Sequence, residues 1–316
     1  MIQSSGLALK PRLPRMVAVG AICTTTIYKV DVIPPAPAKV LAEQMIQVVD
    51  GMAVSAACAF QKLGGQAEVW ARIGDDALGI AASEALRLEG LNVDGLQRVR
   101  GARSSLATVI VDANGERLVV PFHDPQVDAS AAWLPLERLV GVDILHCDVR
   151  WPEGAEAAMR AALACGVATM LDAEVGPREV LAQLVPLATF VVFSDAGLRA
   201  FTGILNIKEG LTWVQNLPHC LPLSLAARRH VGASCGAEGY YWLEGDQLCH
   251  ASALKVTTID TLAAGDVFHG AFALGLSEGR ATGDAVRFAC IAASLKCTRF
   301  GGRLGCPERS EVLAML

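Results

Sequence analysis

The sequence has no Cys-x-x-C pair and no Cys/His grouping at zinc-ligand spacing, although it holds ten cysteines. That excludes a zinc ribbon or a thioredoxin-like redox centre. Residues such as Cys58 and Cys290 sit among apolar neighbours and read as buried free thiols in a reducing, cytoplasmic setting. No apolar run is long enough to cross a membrane. The first fifteen residues carry Lys10, Arg12 and Arg15, no acid and no continuous apolar stretch, so residues 1–15 read as a loose tail rather than a secretory signal. Basic clusters are missing too: 27 Lys and Arg are scattered among 32 Asp and Glu, for a net charge of −5. Neither nucleic acid nor a membrane is therefore an expected partner. Charged residues are few (19%) and hydrophobic ones many (53%), which excludes a disordered chain.

What is present alternates. Strand patterns at Met16–Gly20, Ala67–Ala71, Asp143–Cys147, Ala168–Asp172, Phe190–Phe193 and Ala226–Ala233 are interleaved with helical ones. The helical runs are Ala53–Leu63, Asp76–Glu89, Glu153–Cys165, Ala196–Phe201, Ala263–Glu278 and Thr282–Thr298. Such alternation predicts an α/β domain over residues 16–316, with a mainly parallel central sheet covered on both faces. Extended pieces at Ile27–Val32 and Val40–Val49, and a hairpin pairing Leu106–Val111 with Glu116–Phe122 across Asn114-Gly115, fall outside the alternation. They predict a small β lid built from about 27–49 and 98–123, over a crevice at the carboxyl ends of the parallel strands.

One stretch carries chemistry. In Asp260-Thr261-Leu262-Ala263-Ala264-Gly265-Asp266, small residues lead directly into a strong helical pattern. Unpaired N–H groups and the dipole at such a helix start attract phosphate, and small side chains leave room for it. Asp266 would stand beside that anion, able to take a proton from an attacking hydroxyl. Taken alone, it could equally serve only the helix dipole.

The stretch resembles the D-T-x-[GA]-A-G-D-x-F-x-G motif of the ribokinase/PfkB family of sugar kinases, matching at Asp260, Thr261, Ala263, Ala264, Gly265, Asp266, Phe268 and Gly270. Two further segments are similar to family motifs: Arg72 to Gly79, and the run from Val231 through Ser234, Gly236 and Gly239. The resemblance covers nearly the whole chain from Met16. It implies a ribokinase-like three-layer sandwich with ATP and Mg²⁺ as cofactors, Asp266 as the base, and Ala263, Ala264 and Gly265 forming the hole for the γ-phosphate. It further implies Ser234, Gly236, Gly239, Thr261 and Lys296 beside the nucleotide, a monovalent cation such as K⁺ at Asp260, and a homodimer formed through the lid. For Arg72–Gly79, a turn with Asp caps competes with substrate contact.

Departures from the family pattern lie at the acceptor end. A sugar-gripping Asp expected near position 25 is replaced by Thr25, and the Gly-Gly turn with its downstream Asn becomes Asp50-Gly51 and Ser55. Asp50 either grips hydroxyls or serves a turn. The family's N-x-x-E segment falls on Ser194–Gly197 without its acid, with Asp195 close by, so the Mg²⁺ ligands are not legible. Local runs around Asp148-Val149-Arg150-Trp151 and Leu295–Arg299 resemble the ketohexokinase-like group and its 6-deoxy-6-sulfofructose kinase branch. Arg150, at a strand's carboxyl end, could fork onto a sulfonate or phosphate, or pair with Asp148 or Glu153. Lys39 could add charge or face solvent. His269 could support the base or pack inside. Lys296, Arg299 and Arg303 could reach ATP or offset a helix dipole. The expected activity is ATP-dependent phosphorylation of a primary hydroxyl of a ketose, either neutral or with an anionic tail such as sulfofructose. A kinase for another sugar or a nucleoside, and a non-catalytic sugar- or nucleotide-binding protein of the same fold, are the alternatives. A Rossmann dehydrogenase is not supported, because the first strand ends Gly20-Ala21-Ile22-Cys23 and not G-x-G-x-x-G.

Overall fold

The computed structural model describes residues 12–127 and 129–316. The first five strands are β1 (Arg15–Val19), β2 (Cys23–Lys29), β3 (Gln44–Asp50), β4 (Gln66–Gly74) and β5 (Asn92–Val99). The lid hairpin β6 (Leu106–Val111) and β7 (Arg117–Phe122) follows, then β8 (Ile144–Cys147), β9 (Ala168–Ala173), β10 (Phe190–Ser194) and β11 (His230–Ser234). A closing hairpin is made by β12 (Tyr240–Glu244) and β13 (Gln247–Ala251). Nine strands form one sheet in the order β13-β12-β11-β10-β9-β8-β1-β4-β5, all running the same way except β12, which is antiparallel to both of its neighbours. The lid is a separate four-stranded sheet, β3-β2-β6-β7.

Side chains alternate along each strand, so each central strand feeds two cores. Met16 and Ala18 of β1 enter the core on one face, and Val17 and Val19 the core on the other. The first face is covered by α1 (Met52–Lys62) and α2 (Ala77–Leu88); the second by α3 (Pro152–Ala164), α4 (Arg178–Leu184), α5 (Asp195–Thr202) and α6 (Ile207–Gln215). After the short α7 (Leu223–Ala226), α8 (Ala264–Ser277) and α9 (Thr282–Lys296) pack beside α1, and α10 (Arg309–Leu313) closes the chain. The small residues that make the sequence Ala/Gly-rich let these helices approach closely. At Gly270 a Cβ would lie 2.3 Å from the Ala56 carbonyl oxygen of α1.

Several boundaries move from their expected places. β2 begins at Cys23 because Thr24, Thr25 and Thr26 are β-formers that an apolar pattern does not report; of the three, Thr25 faces the crevice. β3 begins only at Gln44; the stretch from 30 to 43, broken by Pro34, Pro35 and Pro37, is loop. The strand expected at Ala226 starts at His230, after α7 and its Pro222 cap. Residues 98–99 end β5 in the main sheet, so the second part of the lid starts at Leu106. The expected tail ends earlier than 15: Arg15 opens β1 and Arg12 pairs with Asp143 at 2.6 Å. Lys10 lies outside the described residues. Helices α4 and α6 had no counterpart in the sequence reading. For α6 the signal was there: Asn206 caps the N–H of Glu209, and Ile207, Leu211 and Val214 share one face.

Candidate active site

The start of α8 is built for an anion. Ala263 caps it in the left-handed region (φ 61°), the one non-glycine with positive φ among the described residues. Such a backbone costs an Ala about 1–2 kcal/mol. The Ala264 N–H bonds the Thr261 carbonyl, and the first intrahelical bond runs from Val267 N–H to the Ala263 carbonyl. This leaves the N–H groups of Gly265 and Asp266 without partners among the described residues, at the positive end of the helix dipole. The space above them is open, since a Cβ on Gly265 would meet no atom within 4 Å.

Asp266 and Leu262 border a cleft of about 670 Å³ that runs under the lid. The acceptor side is organised by a residue that sequence reading had not singled out. Asp148, buried just beyond β8, accepts N–H bonds from Ala21 (2.8 Å), Ala53 (3.1 Å) and Arg150 (2.8 Å). It thereby ties the β1–β2 turn, the start of α1 and the end of β8 into one wall. Gly20 is required there: a Cβ would fall 2.2 Å from the Asp148 carboxylate. Its only sequence signal was an acid at the carboxyl end of an apolar strand.

Asp50 ends β3, lines the cleft, and accepts a hydrogen bond from the buried Ser55 hydroxyl. Ser55 thus orients Asp50 and does not itself reach the cleft lining. Gly51 lines the wall at φ 124°, where a Cβ would lie 2.3 Å from the Ala21 carbonyl oxygen. Thr25 also faces the cleft, its Oγ1 3.3 Å from Cys23 Sγ. Arg150 is exposed and lines the cleft, and its guanidinium makes no ion pair with Asp148 or Glu153 among the described residues. Arg72 lines the same wall, stacked over Trp151 at 4.3 Å. Lys39 does not join them; it is exposed on the loop before β3. In the Arg72–Gly79 segment the carboxylates are structural: Asp76 caps α2 through Gly79 and holds Ser104, and Asp75 accepts from the Gly101 N–H.

Burial pushes the Asp266 carboxyl well above its ordinary range, and the charges of Asp50, Asp148 and Glu174 push it further, against a smaller pull from Arg117. A carboxylate so raised is a stronger base. Asp172, buried at the end of β9, is raised for the same reasons, burial first and the Asp266 charge next. Two such groups do not both ionise easily, and Asp172 is the more buried of the two. Behind it the fold gathers His269 of α8, whose Nδ1 lies 3.6 Å from Asp172 and 3.2 Å from His146 Nε2. Burial drives His146 down to about 3, and burial plus His146 drives His269 well below its usual value, so both rings are neutral. No spacing in the sequence announced this buried trio.

A polarised helix start, an aimed carboxylate and a lidded cleft at the sheet's carboxyl edge are what phosphoryl transfer requires. The pattern of the pfkB family carbohydrate kinases matches residues 14–309. The chain belongs to this family. A structure from Agrobacterium tumefaciens described as a candidate ribokinase is 37% identical, with a TM-score of 0.88 over 96% of this chain and 97% of its own. The Bacillus subtilis ribokinase is 26% identical over 94% of this chain and 98% of its length, and a Solanum habrochaites fructokinase-2 is 24% identical over 91% and 93%. The fold is ribokinase-like, and the protein is an ATP-dependent carbohydrate kinase. No helix among the described residues is long and apolar enough to cross a membrane.

The nucleotide half of the pfkB site departs from the sequence expectations. Ser234 ends β11, its hydroxyl directed to the Phe193 carbonyl at 3.4 Å, on the same sheet edge as Asp148 and Asp172. Gly236 (φ 54°) stands in open space, whereas Gly239 is needed by the hairpin, where a Cβ would lie 2.1 Å from the Ala251 carbonyl oxygen. Thr261 accepts a bond from Arg117 Nη1 of the lid at 2.8 Å. Lys296, expected beside the nucleotide, and Arg299 and Arg303, read as reaching ATP or offsetting a helix dipole, each engage a protein acid. Lys296 is wholly buried on Asp260; Arg299 pairs with Glu311; Arg303 is buried, forked onto Glu89 (2.6 and 2.8 Å) and bonded to the Val49 carbonyl. Lys296 and Arg303 are held there because a charge removed from water needs an opposite charge, whereas the Arg299–Glu311 pair is partly exposed.

Kinases of this family use ATP and, generally, Mg²⁺. On the segment where the family places its magnesium acid, Ser194 caps α5 and Asp195 pairs with Arg199. The acid on that edge is Glu174, whose Oε1 accepts from Ser194 Oγ at 2.8 Å. Its backbone lies where a side chain at 197 would project: a Cβ on Gly197 would sit 3.2 Å from the Glu174 carbonyl carbon.

Proposed function

We propose that this kinase transfers the γ-phosphate of ATP to a primary hydroxyl of a ketose bearing an anionic tail, such as a sulfonated or phosphorylated fructose. The observation that supports this is that two arginines, Arg150 and Arg72, line the same cleft as Asp50 and Asp266. A neutral sugar has no use for two guanidinium groups, while a tetrahedral oxyanion matches their forked donors. Asp50 and Thr25 would hold sugar hydroxyls. Asp266 would take the proton of the attacking oxygen as its bond to phosphorus forms and the bond to the ADP oxygen breaks. The Gly265 and Asp266 N–H groups would face the phosphoryl oxygens, where charge must be stabilised. Glu174 would hold Mg²⁺, which neutralises phosphate charge when bound. The exposed Leu118, Val120 and Phe122 of β7 support a homodimer through the lid; a single-chain mass by light scattering would remove that part.

Relatives named ribokinase favour a neutral pentose instead. Initial rates with ribose, fructose, fructose phosphates and sulfofructose separate the two readings. In the Arg150→Ala variant, KM for the anionic ketose should rise about tenfold or more, the worth of one charge-assisted hydrogen bond, with fructose kinetics unchanged. Equal losses on both, or a preference of the wild type for ribose, would remove the anionic ketose.

A further inference from the structure

We infer that the ammonium group of Lys296 is the resident cation of the loop leading to the anion hole, and that this kinase therefore holds that loop without a bound monovalent ion. A cation such as K⁺ is expected at Asp260 by family resemblance. An alkali ion needs several oxygens that exchange their water or protein donors for it. Asp260 is buried, and each of its three oxygens is already engaged. Its main-chain carbonyl accepts from Lys296 Nζ at 2.6 Å. Its Oδ1 accepts the Leu262 N–H at 2.8 Å. Its Oδ2 accepts the N–H groups of Gly301 (3.0 Å) and Gly302 (2.8 Å) and lies 3.4 Å from Nζ. A second cation about 4 Å from the ammonium would be repelled by about 4 kcal/mol at an effective dielectric of 20. The residues present do not fit a monovalent ion.

They do fit a lysine. Lys296 is the last residue of α9, where the helix dipole favours positive charge, and its side chain has no exposed surface. The neighbouring Cys297 carbonyl accepts the N–H groups of both Ile259 (2.8 Å) and Asp260 (3.2 Å), so the end of α9 and the loop are laced together. From Asp260 the chain runs through Thr261 and Leu262 to Ala263, whose left-handed backbone persists only if its surroundings hold it. Arg117 restrains Thr261 from the lid side and Lys296 restrains Asp260 from the core side. Lys296 is thus a positioning residue: it fixes the loop that aims the Gly265 and Asp266 N–H groups, and touches neither ATP nor sugar.

The inference rests on the kinase activity and is independent of which sugar is used. Its test is the affinity for the Mg²⁺ complex of a non-hydrolysable ATP analogue, β,γ-methylene-ATP, which carries the γ-phosphate that ADP lacks, by titration calorimetry in about 100 mM tetramethylammonium chloride and in KCl of the same ionic strength. Wild-type affinity should agree within about twofold between the two salts, a few tenths of a kcal/mol. Lys296→Ala, with its fold checked by circular dichroism, should lose affinity by about tenfold or more in tetramethylammonium, because a buried ion pair has been broken. KCl or methylammonium, which fit the vacated space, should restore part of the loss. A wild-type affinity that KCl raises about tenfold overturns the inference, and does so whether or not the variant folds. Wild-type affinity in the variant overturns it as well, as does a loss that neither cation recovers. Failure of the wild type to bind the Mg²⁺ complex of this analogue at all would instead strike the kinase reading.

Discussion

Gly265 offers a way to separate what the anion hole does for folding from what it does for chemistry. It lies in the first turn of α8, and its φ is not among the positive values found at other glycines. A Cβ added there meets no protein atom within 4 Å. Gly265→Ala therefore removes unfolded-state entropy and adds helix propensity at no steric cost. The two effects together are worth about 0.5–1 kcal/mol of added stability. In a chain of this size, that corresponds to a rise in Tm of roughly 1–3 °C. The same methyl enters the space through which phosphate oxygens must approach two backbone N–H groups. Losing one such preorganised donor costs about 10²–10³ in turnover. The assay pairs a thermal melt with steady-state ADP release on one preparation. The expected result is a more stable protein that barely turns over. A lowered Tm would show that the space is needed by the fold. An unchanged kcat would show that the phosphoryl group does not pass over Gly265.

Asp266→Asn should lower kcat by about 10²–10⁴ while Mg·ADP affinity stays near wild type, since only the proton acceptor is lost; wild-type turnover would end its assignment as base. Because burial and then the Asp50 charge raise Asp266, the acid limb of kcat should lie above the ordinary carboxylate range, and in Asp50→Asn it should move to lower pH; a pH–rate profile measured with saturating acceptor decides this, and an unmoved limb would disprove the coupling. Burial holds the Asp172 carboxyl of the fold well above its ordinary 3.8, so over a range of pH above 3.8 the folded chain keeps a proton that the unfolded chain has lost. Its raised carboxyl therefore costs the native state about 1.4 kcal/mol for each pH unit over which that difference holds. Asp172→Asn escapes the cost, so its stability advantage in urea unfolding should grow as pH rises and vanish as pH falls below 3.8; an advantage independent of pH would place an ionised Asp172 in the fold.

Much of the acceptor cleft was hard to read because its side chains obey no local pattern. Thr24–Thr26 lie on a strand that turns Cys23 and Thr25 to the cleft, and a run of polar residues gave no apolar alternation to announce it. Lys39 and Arg150 looked equivalent as positive charges, yet the first stays on an exposed loop and the second lines the cleft. The difference lies in Asp148, whose carboxylate fixes the backbone at Arg150.

What the sequence by itself determined is local: strand and helix alternation, the Asn-Gly hairpin, and the small residues that open α8 beside Asp266. Each of these is written within a few consecutive residues, where backbone propensity, capping and the helix dipole act. Tertiary structure alone decided which charges are free for ligand and which are consumed. Lys296 meets Asp260 across 36 residues, Asp148 meets Ala21 across 127, and Arg303 meets Glu89 across 214. Burial forces such partners together, because an isolated charge taken from water is too costly to leave unpaired, and no local pattern records which partner it will find.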